Sequence, residues 1–200
     1  TITARNEPEA VGSGFARIFP EQPQRMAEQE WGAQKMLSLA EELLAKRGLA
    51  LNYSDTIGVR RGPYWALARM NDTFHSAERS FTGPFIDLLD AHLPIIPEKK
   101  LQPNEQALLV DLSRPTVAPA KVLACAARVR EDHVEGNTLH FTACGPVNTT
   151  ARARLKLPGA PKGITTDPKL DVQTAWDPAS NTALIEFPNT AQDVHFQVAF

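Results

Sequence analysis

The chain has 200 residues, with 21 Lys plus Arg against 23 Asp plus Glu and a formal charge of −2. That length suits one large domain or two small ones and excludes a complete eightfold β/α barrel, which needs about 250 residues. A charge so near balance argues against a nucleic-acid partner, which usually meets a basic excess, and no run of about 18 apolar residues encodes a membrane span.

The opening TITARNEPEA has no initiator Met and no signal peptide, and reads as a processed start. Residues 15–19 allow a short strand ended by Pro20. Pro23 then suits a first helical turn, where its missing N–H costs nothing. Met36, Leu37, Ala40, Leu43 and Leu44 recur at steps of three and four. Glu28 and Glu30 lie early and Lys46 and Arg47 late, matching the helix dipole. Gly48 supplies a stop. One docked amphipathic helix is expected over residues 24–47, with Trp31 in a plain core role.

After Gly48 the chain breaks into short runs between turn signals. LALNY is expected as a strand, and TIGVRRGPYWALARM as two strands bent at Arg61-Gly62-Pro63. Residues 71–104 are rich in turn formers, with Phe85, Ile86, Leu88 and Leu89 placed for a short buried turn or strand. Strands are then expected at QALLVDL, KVLACAARVR, NTLHFTA, TARARLKL, LDVQTAW, TALIEF and DVHFQVAF. In TARARLKL, Ala151, Ala153, Leu155 and Leu157 alternate with Arg152, Arg154 and Lys156. In DVHFQVAF, Val194, Phe196, Val198 and Phe200 alternate with polar residues such as His195 and Gln197. Period two means one face buried and one wet. The expected fold class is mainly β: an antiparallel β-sandwich, Ig-like or related, with one N-terminal amphipathic helix. Residues 1–50 would form a strand-plus-helix segment packed on a sandwich of residues 51–200.

The two cysteines, Cys125 and Cys144, fall on what looks like one hairpin. Placing them opposite each other sets Phe141 against Arg128 and Leu139 against Arg130. A one-residue slip sets Val129 against Leu139 and Ala127 against Phe141. A slip flips every side chain, so the apolar match is expected to win and leave two free thiols.

The most distinctive segment for chemistry is DTIGVRRGPYWALARM. Tyr64 and Trp65 beside Arg60 and Arg61, with Tyr53 nearby, form a candidate sugar platform. Aromatic faces stack on sugar C–H surfaces, and Arg or Asp bonds the hydroxyls. The plainer expectation puts Tyr64, Ala66 and Ala68 on one face and Trp65, Leu67 and Met70 in the core. Trp176 also has a plain core role. Acid–base catalysis needs two placed carboxylates or a His near its substrate. The stretch from 72 to 92 offers Asp72, His75, Glu78, Asp87, Asp90 and His92, of which Asp87, Asp90, His75 and Glu78 are the catalytic candidates. The five histidines, at 75, 92, 133, 140 and 195, show no metal-ligand spacing, and no metal or cofactor is expected. No nucleophile elbow, P-loop or dinucleotide fingerprint occurs. Asn52, Asn71 and Asn148 open N-glycosylation sequons, which act only in a secreted eukaryotic protein.

Taken in order, VGSGFARIFP, WGAQKMLSLAEELLAKRG, RRGPYWALARM, TGPFIDLLDAHLPII, ALLVDL, ARLKLPGAPKGI, TALIEFPN and VHFQVAF resemble the C-terminal β-rich accessory region of large bacterial glycoside hydrolases. The resemblance covers residues 50–200 and, more loosely, the first 50. It implies a non-catalytic, carbohydrate-contacting module of a secreted or periplasmic enzyme. The partner would be a glycan or polysaccharide. The catalytic carboxylates would sit upstream, on a domain of the same polypeptide or on a partner chain. Two alternatives stand beside it: a small polysaccharide hydrolase or lyase working through the 72–92 loop, and a structural β-sandwich that binds proteins.

Overall fold

The computed structural model describes residues 8–19, 21–52, 54–70, 79–114 and 118–200. Contacts group them into two units. One comprises Thr1–Ile57, Ala68–Arg79 and Gln102–Glu105; the other comprises Gly58–Leu67, Ser80–Leu101 and Gln106–Phe200.

In the first unit, strands β1 (Glu9–Val11) and β2 (Gly14–Ala16) pair as an antiparallel hairpin. The single helix expected over 24–47 is two: α1 (Pro23–Ala27) and α2 (Glu30–Ala45). Gly32 explains the break. A side chain there would overlap the Met26 backbone, so only glycine lets α1 fold back so closely onto α2. Trp31 is 51% exposed and Met36 equally so, whereas Met26, Ala33 and Leu39 are buried, so Trp31 is not a core residue. The helix ends as expected. Gly48 takes φ +68°, its N–H donates to Ala45 O, and Leu49 N–H reaches Leu44 O, which is a Schellman cap. Arg17 pairs with Glu42, and Arg47 donates to Ser13 O. A buried ion pair joins Arg69 Nε to Asp55 Oδ2 at 2.9 Å. LALNY forms no strand over its described residues 49–52.

The other strands fall mainly in the second unit, with residues 56–57 and 68–69 of the next two grouped in the first. Strands β3 (Thr56–Arg61) and β4 (Tyr64–Arg69) make the bend expected at residues 61–63. Gly62 at φ +58° takes the first central position, as a type II′ hairpin turn requires. Trp65, Leu67 and Arg69 alternate inward. Arg69 therefore occupies the inward position, and Met70 is exposed. The supposed loop region contains two long strands, β5 (Arg79–Asp87) and β6 (Ile95–Leu101). With β7 (Gln106–Asp111) they give a five-stranded sheet in the order β3-β4-β7-β5-β6. One of its faces buries Leu67, Phe85, Leu101 and Leu109.

The remaining strands are β8 (Lys121–Cys125), β9 (Arg128–Glu135), β10 (Thr138–Cys144), β11 (Thr150–Lys156), β12 (Gly163–Asp167), β13 (Gln173–Asp177), β14 (Thr182–Pro188) and β15 (Val194–Ala199). They form two four-stranded antiparallel sheets, β12-β15-β10-β9 and β13-β14-β11-β8. The alternating apolar residues of β10, β11, β14 and β15 meet in one core, in which Phe141 stacks on Phe196 at 4.7 Å and Phe187 tilts against it at 4.6 Å. The protein is thus mainly β, and these two antiparallel sheets pack face to face as a sandwich. Trp176 packs against this core. Ile86 and Val110 of the five-stranded sheet meet Leu123 and Leu184 on the outer side of β8 and β14.

KVLACAARVR is not one strand. It crosses at Ala126–Ala127 from one sheet to the other, so Cys125 faces Ala153 while Cys144 faces Arg128. The expected register, with Val129 opposite Leu139, is not formed, nor is the one that would set the cysteines opposite each other. The two-residue turn at Gly136–Asn137 sets Leu139 opposite Val134 and Ala143 opposite Val129, with a shift between His140 and Thr142. Both thiols are free. Among the described residues no helix is long and apolar enough to cross a membrane.

Candidate functional site

After β5 the chain makes two tight side-chain-capped turns. Asp87 Oδ1 accepts the Leu89 N–H at 3.0 Å, and Asp90 Oδ1 accepts the His92 N–H at 2.8 Å. Aspartate favours such turns because its carboxylate reaches a backbone N–H two residues on. Leu93 follows at φ +47°, an uncommon conformation for a branched residue. It is held there from outside the loop: Arg154 Nη2 donates to Leu93 O at 2.7 Å, and Arg152 Nη1 to Ala91 O at 3.3 Å.

This anchored loop walls a cleft of about 280 Å³. Tyr64 from β4 and Asp90 from the loop line it with Leu88, Leu93, Leu123 and Cys125. Tyr64 is 43% exposed. The His92 backbone N–H, aided by the His92 ring at 3.1 Å, holds the Asp90 carboxyl below its ordinary value. Asp90 is therefore an anion at neutral pH. Burial pushes the Cys125 thiol up, so that it stays neutral and contributes as a small apolar group. The cleft offers one aromatic face, one carboxylate and an apolar floor.

The other candidates are placed differently. Trp65 is next to Tyr64 in sequence and on the opposite face of β4. It packs edge-on against Phe81 at 4.9 Å, and its indole nitrogen lies close above Gly58. The Arg60 guanidinium covers the Trp65 ring at 3.6 Å and donates to Asp111 Oδ2 at 2.8 Å. Burial would raise the Asp111 pKa, but bonds from Ser113 and Arg60 outweigh it and the net shift is downward. The exposed Arg60 thus stacks on the half-buried Trp65, and Tyr64 is not joined with Trp65 in one platform. Arg61 is exposed. Asp87 is buried and faces Lys99 Nζ at 3.2 Å rather than lining the cleft with Asp90. Tyr53, Asp72, His75 and Glu78 lie outside the described residues.

A second groove, also about 280 Å³, crosses the outer face of the β12-β15-β10-β9 sheet. Sequence spacing did not reveal it, because its residues come from separate strands. His133 stands opposite His140, His140 opposite Gln197, and His195 opposite Asp167. A signal was present: Val129 and Val134, the inward residues of β9, are five apart, an odd interval that a regular strand does not allow. Among the described residues no three His, Cys, Asp or Glu side chains converge as a metal-holding group.

Comparison with known proteins finds no matching family model, no similar curated protein and no similar solved structure.

Proposed function

We propose that this chain is a non-catalytic, glycan-contacting module of a carbohydrate-active enzyme, working in the periplasm or outside the cell. The supporting observation is the cleft in which the exposed Tyr64 ring and the Asp90 carboxylate stand over apolar residues. A sugar ring has the matching chemistry: a C–H face for the aromatic ring and vicinal hydroxyls for the carboxylate. Arg152 and Arg154 hold the loop in place before any ligand arrives, so binding orders little additional chain. Among the described residues that line the cleft, Asp90 is the one carboxylate, whereas paired-acid hydrolysis needs two.

The test is a glycan array read with the native chain and with Tyr64→Ala and Asp90→Asn. Selective binding is expected, weakened about tenfold by either change, equivalent to ~1.4 kcal/mol. Trp65→Ala should instead lower thermal stability, because that half-buried ring packs against Phe81 and under Arg60. A blank array from well-folded protein, or binding indifferent to Tyr64, overturns the proposal.

A protein-binding sandwich is the second reading. Its support is the edge strand β3, where Ile57 is 56% and Val59 62% exposed. Edge strands offer unpaired backbone groups to a partner. Concentration-dependent association abolished by Val59→Lys, together with a blank array, would favour it.

A further inference from the structure

We infer that His133 and His140 form a two-imidazole site for a borderline divalent transition-metal ion, such as Zn²⁺ or Ni²⁺. The site lies on the outer face of the β12-β15-β10-β9 sheet and is independent of the glycan cleft.

The pair is produced by an irregularity in β9. Thr142 faces Arg130, but His140 faces His133, so Glu131 and Asp132 together oppose the single residue Phe141. This is a β-bulge. Without it, continuation of the Thr142–Arg130 register would set Asp132 opposite His140, and His133 would point to the other face. The bulge therefore brings the second imidazole beside the first. It does so with Glu131 at φ +56°, a conformation that is costly outside glycine, and such strain tends to collect at functional positions.

The chemistry of the pair suits a metal. The rings lie 5.1 Å apart between centroids, with planes 14° from parallel. His133 Nδ1 is 2.9 Å from Glu131 O. A carbonyl only accepts, so Nδ1 carries the proton and the Nε2 lone pair is left for a ligand. Metal-binding histidines are commonly oriented by this kind of second bond. The His140 ring has no hydrogen bond among the described residues and is held only by its stack on His133. Two nitrogens at ~2.0–2.1 Å from one tetrahedral ion stand about 3.3 Å apart, which a rotation of the His140 ring can approach.

The rest of the groove supplies weaker help. Glu131 and Asp167 bring carboxylates, and His195 sits across from Asp167. Arg130 is engaged by Asp193 at 3.0 Å. Only two imidazoles are assigned as ligands, and water completes the coordination. The site is thus an exposed and exchangeable one. Imidazole favours Zn²⁺, Ni²⁺ and Cu²⁺ over Mg²⁺ and Ca²⁺.

The experiment is titration of the untagged chain with Zn²⁺, and separately with Mg²⁺, by calorimetry and by NMR of the imidazole resonances at neutral pH. Zn²⁺ should bind near one equivalent and shift the His133 and His140 signals most, and Mg²⁺ should shift neither. His133→Asn and His140→Asn should each weaken Zn²⁺ binding by about tenfold or more. His92→Asn should leave it unchanged. The NMR arm needs no variant, so a misfolded mutant cannot hide the answer. Undisturbed His133 and His140 signals in Zn²⁺, equal binding of Mg²⁺, or unchanged affinity in both variants would overturn the inference.

Discussion

The two outer faces of the sandwich carry polar side chains on alternate positions and meet opposite surroundings. On β11 the outward residues are Arg152, Arg154 and Lys156. Arg154 is only 6% exposed, donates to Leu93 O, and keeps a buried Nε without a partner. Arg152 is bound by Glu186 at 2.6 Å and Ala91, and Lys156 reaches Ser180 O at 2.8 Å. On β15 the outward His195 and Gln197 are exposed along an open groove. The difference lies in what covers each face. The β5–β6 loop lies over β11 and brings carbonyl oxygens to its cations, each bond being worth more because one partner is charged. Nothing among the described residues covers the histidines in that way, so they are available to ligands. A polar row on a strand therefore acts as a clamp where chain lies over it and as a binding face where solvent does.

Four changes break or sharpen this contrast. The largest strikes the core that both faces share. Phe196→Ala removes the ring between Phe141 and Phe187 and should cost about 3–5 kcal/mol in urea unfolding, loosening both faces together. The next acts on the covered face alone. Arg154→Leu leaves the Leu93 carbonyl without its donor and should cost ~1–3 kcal/mol, with faster hydrogen exchange around residues 88–93. The matched change on the open face, Gln197→Leu, should stay within about 0.5 kcal/mol. If the two cost the same, the contrast fails.

The smallest is read by acid. Asp177 lies below its ordinary value of 3.8, chiefly because the Ser180 hydroxyl donates to it, with the Ala179 N–H and the Arg154 charge assisting. Asp90 is lowered in the same direction by His92. A carboxyl depressed in the folded state adds stability above its unfolded value and loses it as pH falls through the folded one. Melting temperature should therefore drop as pH is taken below about 3.8, and Asp177→Asn should flatten that slope. An unchanged slope would detach Asp177 from the covered face.

Local sequence determined much of this protein. Period-two alternation in TARARLKL and DVHFQVAF, with glycines at the bends, is enough to specify strands, their inward residues and a mainly β fold, because those side chains must leave water together. Gly48 ends its helix for a reason confined to its own backbone. Other features depended on distant chain. The crossing of residues 121–130 between sheets and the burial of Arg154 require partners far away in sequence. The same holds for the sites. Tyr64 was legible as an exposed aromatic, but only the fold separated it from Trp65 and joined it to Asp90. His133 and His140 lie seven residues apart, a spacing without meaning until a bulge turned one toward the other. Alternation is a property of one strand, whereas a site is a meeting of several, and the hydrogen-bond register between strands decides which side chains meet.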